Sequence, residues 1–256
     1  MVNSVCKGSL FLCCFLFFSV HCSGQWAIPW QMRGETTLDH LLTSIAKPDL
    51  SLGTLVANGS TSPDSYIDQK WNNCSFLLYD AEKLIESYLG KYDIKGNALA
   101  IKSKNGVRQL EVNKIKSIIW LDSLTHLPRY FINARDYKDE NTPMSGLLEV
   151  LVDGQMPLLA QSYLAEKEVG FIASVLALFE KGEREKTFEV KKTFYASNGS
   201  FLSKISSRRD LLLSFGDFYW EMEEYIQKNK LDITMQSGLK KVFEYYNTKF
   251  ERLPDY

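Results

Sequence analysis

Apolar and polar positions fall into short runs punctuated by turn residues, and the clearest run covers residues 146–160, GLLEVLVDGQMPLLA. Asp153-Gly154 divides it into two apolar halves. Both residues tolerate the positive φ of a type I′ turn, so the run predicts an antiparallel hairpin. A two-residue loop would set Val150 opposite Pro157 as a hydrogen-bonded pair, which proline cannot complete. Either the loop is longer than two residues, or the second strand is an edge near Pro157. Further strands are predicted over 76–79, 98–102, 107–112, 115–121, 129–134, 188–194 and 200–205. Two pairs of these flank Asn-Gly, at Asn105-Gly106 and Asn198-Gly199, and read as hairpins of the same design. In the first, Leu99 and Ile101 alternate with Ala100 and Lys102. Residues 86–92 read as a strand, although 80–88 fits a helix equally well, and 170–179 is open between the two states.

The periodicity changes after residue 205. Ser207-Arg208-Arg209-Asp210 has the form of a capping box, and Leu211, Phe215, Phe218, Met222 and Tyr225 follow at helical spacing. Gly216 weakens that helix by about 1 kcal/mol relative to Ala. A second helix, capped by Thr234, places Leu239, Val242, Phe243 and Tyr246 on one stripe. Nearer the start, Leu38, Leu41, Leu42 and Ile45 repeat as a short helix, and Gly, Ser, Asn and Pro then dominate 51–68. The expected fold is α+β: a predominantly antiparallel, hairpin-rich sheet, with a barrel or a roll as its candidate shapes, followed by two C-terminal α-helices. The expected layout is an arm over 25–65, a β domain over 66–205, a helical hairpin over 206–248 and a flexible tail over 249–256.

The first residues change where the protein is expected to act. Lys7 precedes an uncharged, predominantly apolar run over 10–20, too short for a bilayer span but suited to a secretory leader over residues 1–24. The mature chain is then exported, to the periplasm, the outer envelope or the medium, with no transmembrane span. A lipid anchor at Cys22 is the alternative, disfavoured by His21 where such processing wants a small residue. Four of five cysteines lie in the leader and only Cys74 remains, so no intrachain disulfide framework is available. A net charge of −1 lacks the basic bias of nucleic-acid binders, so no nucleic-acid partner is expected.

Several pieces carry a resemblance: Ser62-Pro63 with Trp71; Tyr92-Asp93-Ile94 with Asn97; the stretch Gly146-Leu147-Leu148-Glu149-Val150-Leu151-Val152-Asp153-Gly154; and Asn229-Lys230-Leu231 leading to Tyr245-Tyr246-Asn247. In these the chain resembles a group of uncharacterised exported proteins of Bacteroidetes-type bacteria, over about residues 60 to 248. The resemblance implies export from a Gram-negative cell and brings no catalytic or binding residues with it. Pro157 departs from the strand residue expected there.

Chemistry is sparse. His40 and His126 are the only histidines beyond the leader, with no His or Cys pair at metal-ligand spacing, so neither a metal site nor a cofactor is expected. Cys74 with His126 is the one candidate nucleophile and base, set against a buried structural cysteine in an apolar strand. Glu149 is the acid of most interest, because it stands between Leu148 and Val150 in the central strand. If buried, its pKa is expected to rise and it needs a partner; the alternatives are a solvated face or pairing with a Lys or Arg on a neighbouring strand. Trp26 and Trp30 are expected to be exposed in the arm and are candidate binding residues, whereas Trp120 and Trp220 are expected in the core. Asn-x-Ser sequons occur at Asn58, Asn73 and Asn198, the first and last of them in turn-forming Asn-Gly pairs. The function expected is an exported, non-catalytic binding or structural module that contacts an envelope protein or surface component. The alternative is a carbohydrate-active protein, binding sugar through exposed aromatics or hydrolysing it through paired acids that include Glu149.

Overall fold

The structure, a computed structural model, describes residues 54–55, 65–79, 84–103, 106–167 and 187–250. The leader, the arm with Trp26 and Trp30, the short helix, the undecided segment 170–179 and residues 251–256 lie outside the described residues. In chain order the strands are β1 (Thr54–Leu55), β2 (Asn72–Leu78), β3 (Leu84–Asp93), β4 (Ala98–Ser103), β5 (Gly106–Glu111), β6 (Ile115–Leu121) and β7 (Pro128–Asn133), then β8 (Lys138–Asp139), β9 (Thr142–Pro143), β10 (Leu147–Val152), β11 (Leu158–Glu166), β12 (Phe188–Asn198) and β13 (Phe201–Ile205). The helices are α1 (Arg208–Ser214), α2 (Tyr219–Lys228) and α3 (Gln236–Lys249). The α+β reading holds, with a mostly antiparallel sheet. Residues 84–93 are a strand, which settles the ambiguity over 80–88 where the chain is described.

The strands join into one sheet ordered β1-β5-β4-β3-β2-β6-β7-β10-β11-β12-β13-β8-β9, antiparallel throughout except at β13 and β8. It rolls without closing into a barrel. Two contacts show the roll. The Tyr92 hydroxyl, on β3, bonds to the backbone of Leu147 on β10, four places away in the sheet. β8 follows β7 after a single 3-10 turn, Ala134–Asp136, yet pairs with β13 at the far side of the sheet. The first curl wraps one face around Phe76, Leu99, Ile118, Trp120 and Phe131. The second wraps the opposite face around Ile132, Leu148, Val150, Leu159 and Tyr195. The helices cover the outside of that second curl, where Leu158 and Ala196 meet Leu211, Phe215, Met222, Val242 and Phe243.

The central hairpin is real, but its loop is the longer alternative. Val150 pairs with Leu159 and Val152 with Leu158, so residues 153–157 form the connection and Pro157 stands outside the ladder. β11 is an interior strand, flanked by β10 and β12. Asn247 of α3 grips the loop: its Oδ1 accepts the Met156 N–H at 2.9 Å, and its Nδ2 donates to the carbonyls of Met156 at 3.0 Å and Asp153 at 3.3 Å. Gly154, at φ 141°, gives the room, because a Cβ there would sit 2.5 Å from the Asn247 side chain. In the β12–β13 hairpin the two turn residues are Gly199 and Ser200, with Asn198 already paired to Phe201. Gly199 at φ 60° supplies the positive φ that a type II′ turn needs at its first central position.

The C-terminal part holds three helices rather than two. Ser207 caps α1 by accepting the Asp210 N–H, as the capping pattern predicts, while the Asp210 carboxylate reaches back one residue further than a capping box requires and accepts the Ser206 N–H. Gly216 then adopts φ 54°, and a 3-10 turn, Gly216–Phe218, separates α1 from α2. Thr234 does not cap α3. Its N–H and O–H both bond to Asp232 Oδ1, and Met235 takes the cap position without a side-chain bond. No helix among the described residues is long and apolar enough to cross a membrane.

Candidate functional site

Directly paired residues of neighbouring strands share a face, so the register defines a row that crosses eight strands: Ile85, Phe76, Ile118, Phe131, Glu149, Ala160, Phe194 and Ile205. Glu149 is the one charged member of this row. It lies where the first curl's core gives way to the helix-covered core, and it is 5% exposed. A carboxylate left there alone would be strongly disfavoured, and the next rungs supply its partners. Arg129, two residues before Phe131, donates from Nε to Oε1 at 2.7 Å and from Nη2 to Oε2 at 3.1 Å. Lys192, two residues before Phe194, donates to Oε2 at 2.8 Å and to Gln236 of α3 at 3.1 Å. Burial alone pushes the Glu149 carboxyl up, but the Arg129 bonds and charge, then those of Lys192, outweigh it and hold the group below the usual range. The expected rise for a buried Glu149 is therefore corrected to a fall: Arg129 pairs with it from the neighbouring strand β7, and Lys192 reaches it from β12, across β11.

The remaining guanidinium nitrogen of Arg129 reaches outward, 3.0 Å from Asp68 and 4.0 Å from Asp122. Its guanidinium also lies 5.1 Å from the Phe131 ring centre, within cation–π range. Burial raises the Asp68 carboxyl above its ordinary value, opposed by Arg129 and reinforced by Asp122 and Glu149. Asp122 goes the other way, lowered first by its bond from the Thr125 N–H. Acids pushed apart in this manner are what acid–base catalysis uses. Here, however, Arg129 stands between Asp68 and Glu149, both Glu149 oxygens are occupied by cations, and four cavities on the surface of the described residues are lined without any of the three acids. Among the described residues no group of three His, Cys, Asp or Glu is placed to hold a metal ion.

What this network does locally is brace the β6–β7 loop. Every backbone N–H from Asp122 to Leu127 has an acceptor. Asp122 Oδ1 takes those of Leu124 and Thr125 at 2.8 Å each, and Asn72 Oδ1 takes that of Ser123 at 2.8 Å. The Leu127 carbonyl takes that of Asp122, the Asp122 carbonyl that of His126, and Thr125 Oγ1 that of Leu127. Asn72 is itself buried and tied to Asp68 and to the Lys70 carbonyl. His126 completes the turn at φ 56°, a left-handed conformation that few side chains adopt. With its N–H groups satisfied internally, the loop turns two leucines outward, Leu124 at 69% exposed and Leu127 at 56%, beside Leu121 at the end of β6, which is 40% exposed. In the ladder, Leu121 stands between Pro128 and Asn73, and the exposed Leu89 lies on the same row beyond Asn73.

The other sequence candidates separate. Cys74 lies in the first core with its thiol pushed up to about 12 by burial, and Gly90 packs so closely that a Cβ there would come within 2.6 Å of its Sγ. His126 sits in the exposed loop, so the two form no nucleophile and base. Trp120 is fully buried, as expected. Trp220 is not: it is 78% exposed, edge-on to Tyr219 at 5.0 Å, because the Gly216 break resets the helical phase and turns it away from the core. The sequence reading missed Arg129, Lys192, Asp68 and Asp122. Arg129 and Lys192 look like ordinary solvated strand positions, and only the register reveals that they flank Glu149. Leu124 and Leu127 fall between the predicted strands 115–121 and 129–134 and drew no notice, although Asp122 followed by Ser123 and Thr125 is the signal of a side-chain-capped turn.

Comparison with protein-family models, with curated proteins and with solved structures gave no match in any of the three.

Proposed function

We propose that the protein is an exported, non-catalytic binding module that docks onto another envelope protein or surface component through the β6–β7 loop. One observation carries this reading: Leu124 and Leu127 are displayed on a loop whose six backbone N–H groups are all bonded within the molecule, beside the exposed Leu121 at the end of β6. Apolar side chains held outward on an ordered frame lose little conformational freedom on binding, and exposed apolar patches mark interaction sites. Export rests on the leader and on the resemblance to exported Bacteroidetes-type proteins. The locked state of Glu149 weighs against glycoside hydrolysis. Sugar binding keeps one specific support, the exposed Trp220 beside Tyr219.

The test is crosslinked affinity capture from the cell envelope with the wild type and with Leu124→Asp/Leu127→Asp, after both are shown to have the same thermal midpoint. A partner captured by the wild type and lost with the loop variant supports the reading. Equal recovery by both, or no partner with either, sinks it. For the sugar alternative, Trp220 fluorescence should shift on titration with oligosaccharides, and a flat titration removes that reading.

A further inference from the structure

At the opposite end of the sheet order, β13 is only half used as a strand. Toward β12 it is paired along its whole length, from Phe201 to Ile205. Toward β8 it has two rungs, Phe201 with Lys138 and Leu202 with Asp139, in parallel. The partner chain then leaves: Glu140 and Asn141 adopt φ 47° and 71°, and the turn carries the backbone away into β9. Ser203, Lys204 and Ile205 have no strand on that side among the described residues.

The hydrogen-bond pattern tells which groups face outward. The two-residue turn makes Asn198 and Phe201 the closing pair with β12, so odd-numbered residues of β13 bond inward. Consistently, the Lys138 N–H donates outward to the Ser200 carbonyl at 2.9 Å. Even-numbered residues therefore point their N–H and C=O toward the β8 side, and at Lys204 both groups are offered to whatever lies beyond. What lies there is a cavity of about 550 Å³, a volume in the range of ligand sites. Asp139 and Glu140 line it on one side, Asp210 of α1 lines it too, and exposed Phe201 and Leu213 contribute apolar surface.

We propose that this edge is a strand-addition site that takes an extended peptide segment carrying Lys or Arg, independent of the leucine loop. Main-chain bonds to Lys204 supply the register, as in other sheet-edge recognition. Three acids against the single Lys204 among the charged lining residues favour a basic guest. Phe201 and Leu213 give an apolar side chain a place to rest. The edge is three residues, roughly 10 Å, too short to template sheet-to-sheet aggregation but long enough to hold a short segment.

The test uses the whole chain and a fluorescent, end-blocked octapeptide of alternating Lys and Val, read by polarisation. Saturable binding is expected, weakened about fivefold when alternate peptide amides on the pairing edge are N-methylated, because the main-chain bond lost at the Lys204 carbonyl is worth about 1 kcal/mol. Lys204→Pro removes the outward N–H without breaking a rung with β12 and should weaken binding relative to Lys204→Ala, which removes the same side-chain charge and keeps the N–H. Asp139→Asn/Glu140→Gln should weaken it and flatten its salt dependence, while Leu124→Asp leaves it unchanged. On the wild type, hydrogen exchange should slow at the Lys204 amide when peptide is added, a readout that does not depend on any variant folding. No saturable binding up to about 1 mM, equal affinity for the N-methylated peptide, or unaltered exchange at Lys204 would each overturn the proposal.

Discussion

Glu149 is held by two cations, and its charge should be visible in stability. Removing one partner of a buried pair leaves the others uncompensated, so Glu149→Gln is expected to cost about 3 kcal/mol at neutral pH. Because the folded pKa lies below the ordinary 4.5, the stabilisation is complete above that value and fades as pH falls through it toward the folded pKa. The gap between wild type and Glu149→Gln should therefore narrow in acid, as measured by urea unfolding at a series of pH values; a gap that stays constant refutes the assignment. Asp68, with its raised pKa, contributes with the opposite sign and blunts the wild-type acid response. A second residue-scale prediction concerns Gly90, where an added Cβ meets Cys74 Sγ at 2.6 Å and Leu99 at 3.3 Å. Gly90→Ala should destabilise by about 1–3 kcal/mol through overpacking. The penalty should shrink in a Cys74→Ala background, and a double-mutant cycle of thermal midpoints without coupling would contradict that contact.

At the scale of elements, the Asp153-Gly154 turn depends on a helix that begins some eighty residues later in the chain. Asn247→Ala would leave the Met156 N–H without its acceptor and free two carbonyls, a loss of about 2 kcal/mol. Hydrogen exchange at the Met156 amide should accelerate more than exchange in α3; equal acceleration in both would mean that the helix, not the grip, had failed. The hairpins were legible in the sequence because Asp-Gly and Asn-Gly are local signals, and the α1 cap for the same reason. The grip of Asn247 was not, since Asn in a Tyr-Tyr-Asn helix carries no mark of a distant turn. Helix count failed at Gly216, where propensity foretold a weakened helix but not the left-handed conformation that ends it. Strand order and register, which decide that Arg129 and Lys192 meet Glu149, come from long-range pairing that no local pattern encodes.

For the molecule as a whole, one hydrogen-bonded chain runs from Gln236 at the start of α3 through Lys192, Glu149 and Arg129 to Asp68 on the loop side. Replacing buried Glu149 together with its half-buried cations, Glu149→Leu/Arg129→Met/Lys192→Met, should leave global stability within about 1–2 kcal/mol of the wild type, since well-packed apolar groups commonly substitute for a buried ion pair. The same variant should loosen residues 122–127, seen as faster amide exchange there, because Asp68 and Asp122 lose their shared cation. Unaltered exchange in the loop would show that Asn72 suffices to brace it. The position of Glu149 has one more consequence. β10 is buried on both faces, so apolar patterning alone scarcely distinguishes its proper alignment from one shifted by a residue. A shift would turn the carboxylate toward Ile132, Leu159 and Tyr195, away from Arg129 and Lys192, at a penalty of about 3–5 kcal/mol. Carboxylate and cations thus serve as a parity check on strand pairing, which an all-aliphatic β10 would lack.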